Sequence, residues 1–396
     1  QRGLVVHMIK NAIKKKFSYM DWRLLIPYII LSGFGILMVY SSSSYRAMTD
    51  YNNSEHFFYR QMLFAVLGLF GALFVSFLSK RLFKNEKLLM FVLYILFGIL
   101  AYLLLWPGTA TKGARGWIYF GSFGLQPAEF MKLNLILYLS LIISKHQSHI
   151  NDGFYDTMKK PLLLTAAAVA MVFVQPDLGG AAIIAFICLV LFLHSGVKVK
   201  YGVMIFGAIG VIYGLIIVMV KTFGSSIPFF HSYQMERITS FIDPFADIQD
   251  SGYQVVNSYY ALSRGGLFGV GIGESIQKSG YLPEPHTDFI LSIIGEELGL
   301  VGVAFVLVLF FYMVYRIFKD AIKIKDPFAQ LVCIGIGTMF LVQGVINVGG
   351  ATGLMPLTGV TFPFVSYGGS SLLVSAVSIG IVNNMYINDQ ISKQPK

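Results

Sequence analysis

Between Tyr281 and Glu297 the chain reads YLPEPHTDFILSIIGEE, with one histidine (His286) and four acids (Glu284, Asp288, Glu296, Glu297) in seventeen residues. An apolar run, Leu298 to Tyr315, follows at once. A carboxylate at the mouth of a membrane span is costly to keep, so a functional role is the default reading. Pro283 and Pro285 keep the approach extended, and a helix can begin only after them. Thr287 or Asp288 would then be the N-cap, a role compatible with catalysis. Counted from Asp288, Ser292 and Glu296 lie four and eight residues on, near one face, whereas Glu297 points the other way. Glu296 would sit about 12 Å along the helix axis, too far to share a proton with Asp288. Asp288 is therefore the candidate general base, and Glu296 and Glu297 take structural or coupling roles.

His286 is an acid–base or substrate-binding candidate, but a lone histidine without partners at ligand spacing does not predict a tight metal site. The chemistry allows a loosely held divalent cation, Mg2+ or Mn2+, bridging Asp288 or Glu284 to a substrate diphosphate. No organic cofactor is expected.

A second constellation is TKGARGWIYFGSFGLQPAEFMKL, Thr111 to Leu133. Lys112 and Arg115 sit in a glycine-spaced loop able to hold an anionic head group. Trp117 can stack on a sugar or anchor at the membrane interface. Glu129 and Lys132 are three residues apart on a helical segment and are expected to pair, with Lys132 placed to meet a phosphate. Arg237, Arg264 and Lys278 add positive charge to the long segment before Asp288, among the glycines Gly265, Gly266, Gly269, Gly271 and Gly273. These glycines permit tight turns and close backbone approach. They are no nucleotide fingerprint, because no strand precedes them. MPLTGVTFPFVSYGGSS, Met355 to Ser371, includes Ser366 as a further binding candidate and reads as a broken or re-entrant element lining a cavity.

The elements that must hold these residues are membrane helices. Of 396 residues, 56% are hydrophobic and 13% charged, far from the balance of a soluble domain. The reading is an all-α polytopic membrane protein, one ten-helix domain over residues 8–396. Spans are expected near 24–43, 62–78, 88–106, 127–143, 161–175, 178–194, 201–221, 287–315, 327–348 and 366–386. Gln1 to His7 precede Met8 and are expected to be a cloning remnant, so they are set aside. Cys188 and Cys333 both lie in apolar runs, which excludes a disulfide framework. The net charge of +10 resides in short clusters between spans, pointing to topology and lipid head groups rather than nucleic acid. With the N-terminus inside, 21 Lys and Arg fall on inner segments and eight on outer ones. Both termini are therefore expected in the cytoplasm, with the long segment 222–286 and the candidate chemistry facing outward. Within that segment, Tyr253 to Arg264 has the spacing of an amphipathic surface helix.

QPAEFMKL, QPDLGG, the run from SGYQVV to GEELG, and MPLTGVTFPFVSYGGSS together resemble the SEDS (shape, elongation, division and sporulation) family of peptidoglycan polymerases, from the first span to the last. VGIGESIQK and the DPF stretch at Asp243 are more similar to the division member than to the elongation member. The resemblance implies a ten-span glycosyltransferase at the outer face of a bacterial cytoplasmic membrane. It would join lipid II to a glycan held on undecaprenyl diphosphate. It implies that Asp288 matches the essential aspartate, and that Trp117 and Lys132 match positions tied to activity. It also implies a class B penicillin-binding protein and other division proteins as partners. Gly280 stands where some relatives carry an acid, so no role of that acid transfers. The competing readings are a flippase for lipid-linked precursor and a non-catalytic division scaffold.

Overall fold

The computed structural model describes residues 14–106, 116–120, 123–147, 150–196, 200, 232–250 and 252–394, with scattered positions between 204 and 222. Lys112, Arg115 and most of the expected seventh span lie outside the described residues. The helices are α1 (Trp22–Tyr51), α2 (His56–Phe77), α3 (Lys80–Phe83), α4 (Glu86–Leu105), α5 (Pro127–His146), α6 (Ile150–Val174) and α7 (Leu178–Leu193). After them come α8 (Ser232–Ile242), α9 (Tyr253–Gly265), α10 (Ile290–Lys323), α11 (Pro327–Ala351) and α12 (Gly369–Ser392). Seven of these are long and apolar enough to cross a membrane, with α7 a shorter apolar helix. The chain is an all-helical polytopic membrane protein, its described strands being β1 (Ile118–Phe120) and β2 (Phe123–Leu125), an antiparallel pair with Ile118 opposite Leu125.

Burial runs opposite to hydropathy. The most apolar span, α4, has a mean hydropathy of 2.8 and only 28% of its window buried, whereas α5 has 1.3 and 89%. Lipid is as good a solvent for leucine as a protein core, so apolar helices gain little by going inside; polar ones must. Helix α5 therefore occupies the centre, between α4, α7 and α11, carrying the buried Glu129, Lys132 and Asn134. Close approach between other helices uses small residues. Along the α2–α12 seam, Gly68 faces Ala376, and a Cβ on Gly380 would come within 2.4 Å of the Ala72 carbonyl oxygen. This is the small-residue packing expected where no hydrophobic effect joins helices.

The expected eighth span, 287–315, is corrected in two ways. Its helix begins at Ile290, and it is broken at Gly299 (φ 69, ψ −167). Breaking a helix in the membrane frees carbonyls and N–H groups that lipid cannot satisfy. The loop after α9 takes four of them: Val270 and Gly271 N–H donate to the Glu296 and Glu297 carbonyls at 3.0 Å. In return, Leu300 N–H donates to Gly266 O at 3.0 Å and Val301 N–H to Leu267 O at 3.2 Å. The glycines of this loop serve that contact, since a Cβ on Gly265 would lie 1.8 Å from Gly295 O and one on Gly269 2.2 Å from Glu297 O. The amphipathic reading of α9 holds as a helix, but its inner face, Val255, Val256, Ser258 and Ala261, packs on α10.

The segment 355–368 enters the bundle as irregular backbone. Phe362, Phe364 and Val365 are buried, and the Phe364 ring meets Tyr28 (centroids 5.4 Å) and Phe340 (5.0 Å). A Cβ on Gly35, midway along α1, would lie 2.8 Å from Phe364 O. The segment thus reaches the middle of α1, shielded by protein on its sides, the tolerated use of non-helical backbone at this depth. At the opposite end of the bundle Arg316 binds Asp21 (3.0 Å) and Asp320 (3.2 Å), and Asp326 binds Lys80 and Lys84.

Gly299→Ala is expected to destabilise the protein by about 1–3 kcal/mol, because this backbone region is open almost only to glycine. A Cβ there would also lie 2.4 Å from Gly269 N. Gly98→Ala, in open space on α4, should be neutral or stabilising. Thermal unfolding in detergent compares the two.

Candidate functional site

Asp288 is not the cap of its helix. The N-cap is Phe289, whose own side chain makes no capping bond, so Asp288 stands one residue before the cap. The irregular turn before it, with Glu284 at φ 55, delivers Asp288 half-buried to the end of the bundle. Asn347 of α11 fixes the backbone there: its Nδ2 donates to Asp288 O at 3.0 Å and to Val360 O at 2.7 Å. Gly359, at φ 76, brings the 355–368 segment against the acid, since a Cβ on it would lie 3.7 Å from Asp288 Oδ2.

A second polar group adjoins the same segment. A Cβ on Gly179, at the start of α7, would come within 2.6 Å of Val360 and 2.8 Å of Thr358. One turn before it, Asp177 caps α7 by accepting from Gly180 N–H at 2.7 Å, and its other oxygen accepts from Gln126 Nε2 at 3.0 Å. Gln126 N–H in turn donates to Ser370 Oγ at the start of α12 at 3.3 Å. Enclosure by these helices pushes the Asp177 carboxyl up from its ordinary value, opposed by the Gly180 N–H and the nearby Lys132. Lys132 pairs with Glu129 at 2.7 Å, as their spacing predicts. Residues 358–360 thus stand between Asp288 and Asn347 on one side and Asp177, Gln126, Lys132 and Glu129 on the other.

The structure places the remaining candidates differently. Glu284 accepts from Arg46 of α1 at 2.9 Å and from Thr287 at 3.2 Å, so its carboxylate joins α1 to the turn. His286 is buried, its ring against Phe57 (4.5 Å) and Tyr367 (5.5 Å). Ser366 spends its hydroxyl on the backbone, donating to Thr287 O at 2.7 Å and accepting from Phe362 N–H at 2.8 Å. Its expected substrate-binding role gives way to one that locks the PHTD turn onto the re-entrant segment.

The two glutamates do not diverge as helical spacing suggests; both grip the turn at 275–278. Glu296 accepts from Ser275 Oγ (2.5 Å), Ile276 N–H (3.0 Å) and Arg264 (2.7 Å). Glu297 accepts from Lys278 (2.7 Å) and from Ser41 of α1 (2.7 Å). Lys278 and Arg264, expected at a diphosphate, are thereby committed to carboxylates. Trp117 stacks on Tyr119 at the hairpin, with centroids 6.5 Å apart. Arg237 lies half-buried on α8.

Asp177, Gln126 and Asn347 were missed as site residues. Asp177 stood in view within QPDLGG, where an acid between two apolar runs was itself a signal. Asn347 gave none, being one amide in a long span.

Fold and site together define a polytopic helical membrane protein whose polar groups converge beside a re-entrant segment at one end of the bundle. The FtsW/RodA/SpoVE cell cycle protein family matches residues 22–391, and the chain belongs to that family. It is 40% identical over 387 residues to the probable peptidoglycan glycosyltransferase FtsW of Bacillus subtilis (strain 168), covering 97% of this chain and 94% of that one. Stage V sporulation protein E of the same organism is 36% identical, over 92% and 96% of the two chains. Among solved structures, a chain of a peptidoglycan synthase complex that coordinates polymerization and crosslinking superposes with a TM-score of 0.72. It shares 29% identity, covering 93% of this chain and 98% of that one. The rod shape determining protein RodA of Thermus thermophilus matches with a TM-score of 0.65 at 27% identity, over 95% and 98%.

Lys278→Met should cost about 3–5 kcal/mol, because it strands Glu297 as a buried charge. Arg264→Ala should cost less, since Arg264 is 38% exposed and Glu296 keeps its other donors. Unfolding midpoints of the two variants in one detergent test the order.

Proposed function

We propose that the chain is a peptidoglycan glycosyltransferase that polymerises lipid II at the outer face of the cytoplasmic membrane, acting in division, with Asp288 as general base. The observation that carries this reading is the placement of Asp288: half-buried just before α10, its backbone carbonyl held by Asn347 and its carboxylate against the Gly359 turn. Family membership and relatives named probable peptidoglycan glycosyltransferase support the activity. The excess of Lys and Arg on the segments opposite Asp288 supports an outward-facing site with cytoplasmic termini.

In the proposed reaction Asp288 takes the proton of the acceptor sugar hydroxyl. That oxygen attacks the anomeric carbon of the donor, the bond to the undecaprenyl diphosphate breaks, and the configuration inverts by direct displacement. Lys132 supplies the buried positive charge of the mouth, and Glu129 orients it. The hairpin beside Trp117 docks on α2 and the start of α12, with Phe123 against Phe64 at 5.2 Å and a Cβ on Gly369 3.1 Å from Phe123, and Trp117 is proposed to meet a sugar face.

Lys132 at this mouth is already paired with Glu129. A diphosphate brought there needs further positive charge, and a divalent cation, Mg2+ or Mn2+, would supply it. Asp288, beside the Gly359 turn, would be the residue to hold it. The neighbour in a peptidoglycan synthase complex supports a class B penicillin-binding protein as partner.

Purified protein, alone and with such a transpeptidase, is expected to convert lipid II to glycan polymer, and Asp288→Ala to abolish this while the protein stays monodisperse. Polymer from Asp288→Ala would remove the aspartate from its role. Precursor translocation in liposomes without polymer would replace the enzyme with a transporter. Chelation should suppress polymerisation and added Mg2+ or Mn2+ restore it; activity indifferent to a chelator would remove the cation.

A further inference from the structure

Asn347 is 4% exposed and lies near the far end of α11, five residues before the helix gives way at Thr352. Its amide is unusual in how it is used. Nδ2 makes both of its hydrogen bonds to backbone carbonyls from two separate segments, Asp288 O and Val360 O. Those two acceptors decide which end of the amide faces them, since an oxygen there would meet two oxygens. Oδ1 is thereby turned away, and it is buried with no hydrogen-bond partner in the protein.

A buried acceptor left without a donor is a cost that folding alone gives no reason to keep. Apolar side chains would fill the place, and α11 is otherwise rich in them. The two tethered segments explain the retention. One carries Asp288, and the other carries Gly359, the residue against the Asp288 carboxylate. A single amide thus sets how far the acid stands from the turn that faces it. One turn deeper, Ser292 is bonded to Ser258 (2.6 Å), which ties α9 to α10.

We propose that Asn347 is a positioning residue for the reaction. Its Nδ2 fixes the spacing between Asp288 and the Gly359 turn, and its Oδ1 accepts from a water or substrate hydroxyl beside the acid. The proposal rests on Asp288 being the base.

The test is steady-state polymerisation of lipid II by the full chain with its transpeptidase partner, read with lipid II binding stoichiometry and the unfolding midpoint. Asn347→Ala is expected to lower kcat about 100-fold with KM within about threefold, the scale of an acid misplaced by about an ångström. Asn347→Asp keeps the size but turns an oxygen toward two carbonyls, so it should be equally impaired. Gln343→Ala, one turn earlier on α11 and also buried, is the control and should keep parental kcat. Loss of kcat that merely tracks loss of binding sites, or failure of both Asn347 variants to fold, overturns positioning in favour of a structural role. Both Asn347 variants working within about twofold of the parent, while Asp288→Ala is dead, overturns the proposal and leaves the base in place. A working Asp288→Ala instead overturns the base, and the proposal with it.

Discussion

Every backbone N–H and carbonyl inside a bilayer has to be satisfied by protein, and this constraint organises the molecule wherever the chain stops being helical. Gly299 shows it most directly. The helix breaks there, and the Glu296 and Glu297 carbonyls and the Leu300 and Val301 N–H groups are matched by Val270, Gly271, Gly266 and Leu267. The contact is backbone against backbone, which is why glycines crowd both sides of it. The segment at 355–368 solves the same problem with side chains, through Ser366, Asn347 and Gln61, whose Nε2 donates to Ser366 O at 3.2 Å.

These repairs are also what positions the candidate chemistry. The start of α10 is shortened by the break, gripped by α9 and the 275–278 turn, and tied to α11 through Asn347. Charges that might have served a substrate are drawn into this framework: Lys278 and Arg264 hold Glu297 and Glu296, and Arg46 holds Glu284. Asp288 faces the glycine turn at 359, and the start of α7, capped by Asp177, packs on the neighbouring Thr358 and Val360. A central helix as polar as α5 is tolerable because its charges pair with each other and its neighbours shield it from lipid.

Much of this was legible in the sequence. Hydropathy located the cores of the described helices, since burial of some twenty apolar residues in lipid leaves little choice of conformation, though several run up to about ten residues beyond the expected spans. The i, i+3 pair Glu129–Lys132 was readable because both ends lie on one helix. Asp288 could be singled out from the prolines before it and the apolar run after it. Helical counting failed for Glu296 and Glu297, because both side chains answer to a turn that arrives from outside the helix.

The sequence by itself determined the all-helical membrane character, the order of the described apolar helices, and that Asp288 lies beside the start of one of them. Those follow from local rules, the solvent preference of each side chain and the backbone limits of proline. Tertiary structure alone decided that the eighth span is broken, that the start of α7 and Asp288 meet neighbouring residues of one turn, and that Lys278, Arg264 and Ser366 are occupied. Each of these depends on a partner distant in the chain, and no spacing along the chain encodes which carbonyl a freed N–H will meet.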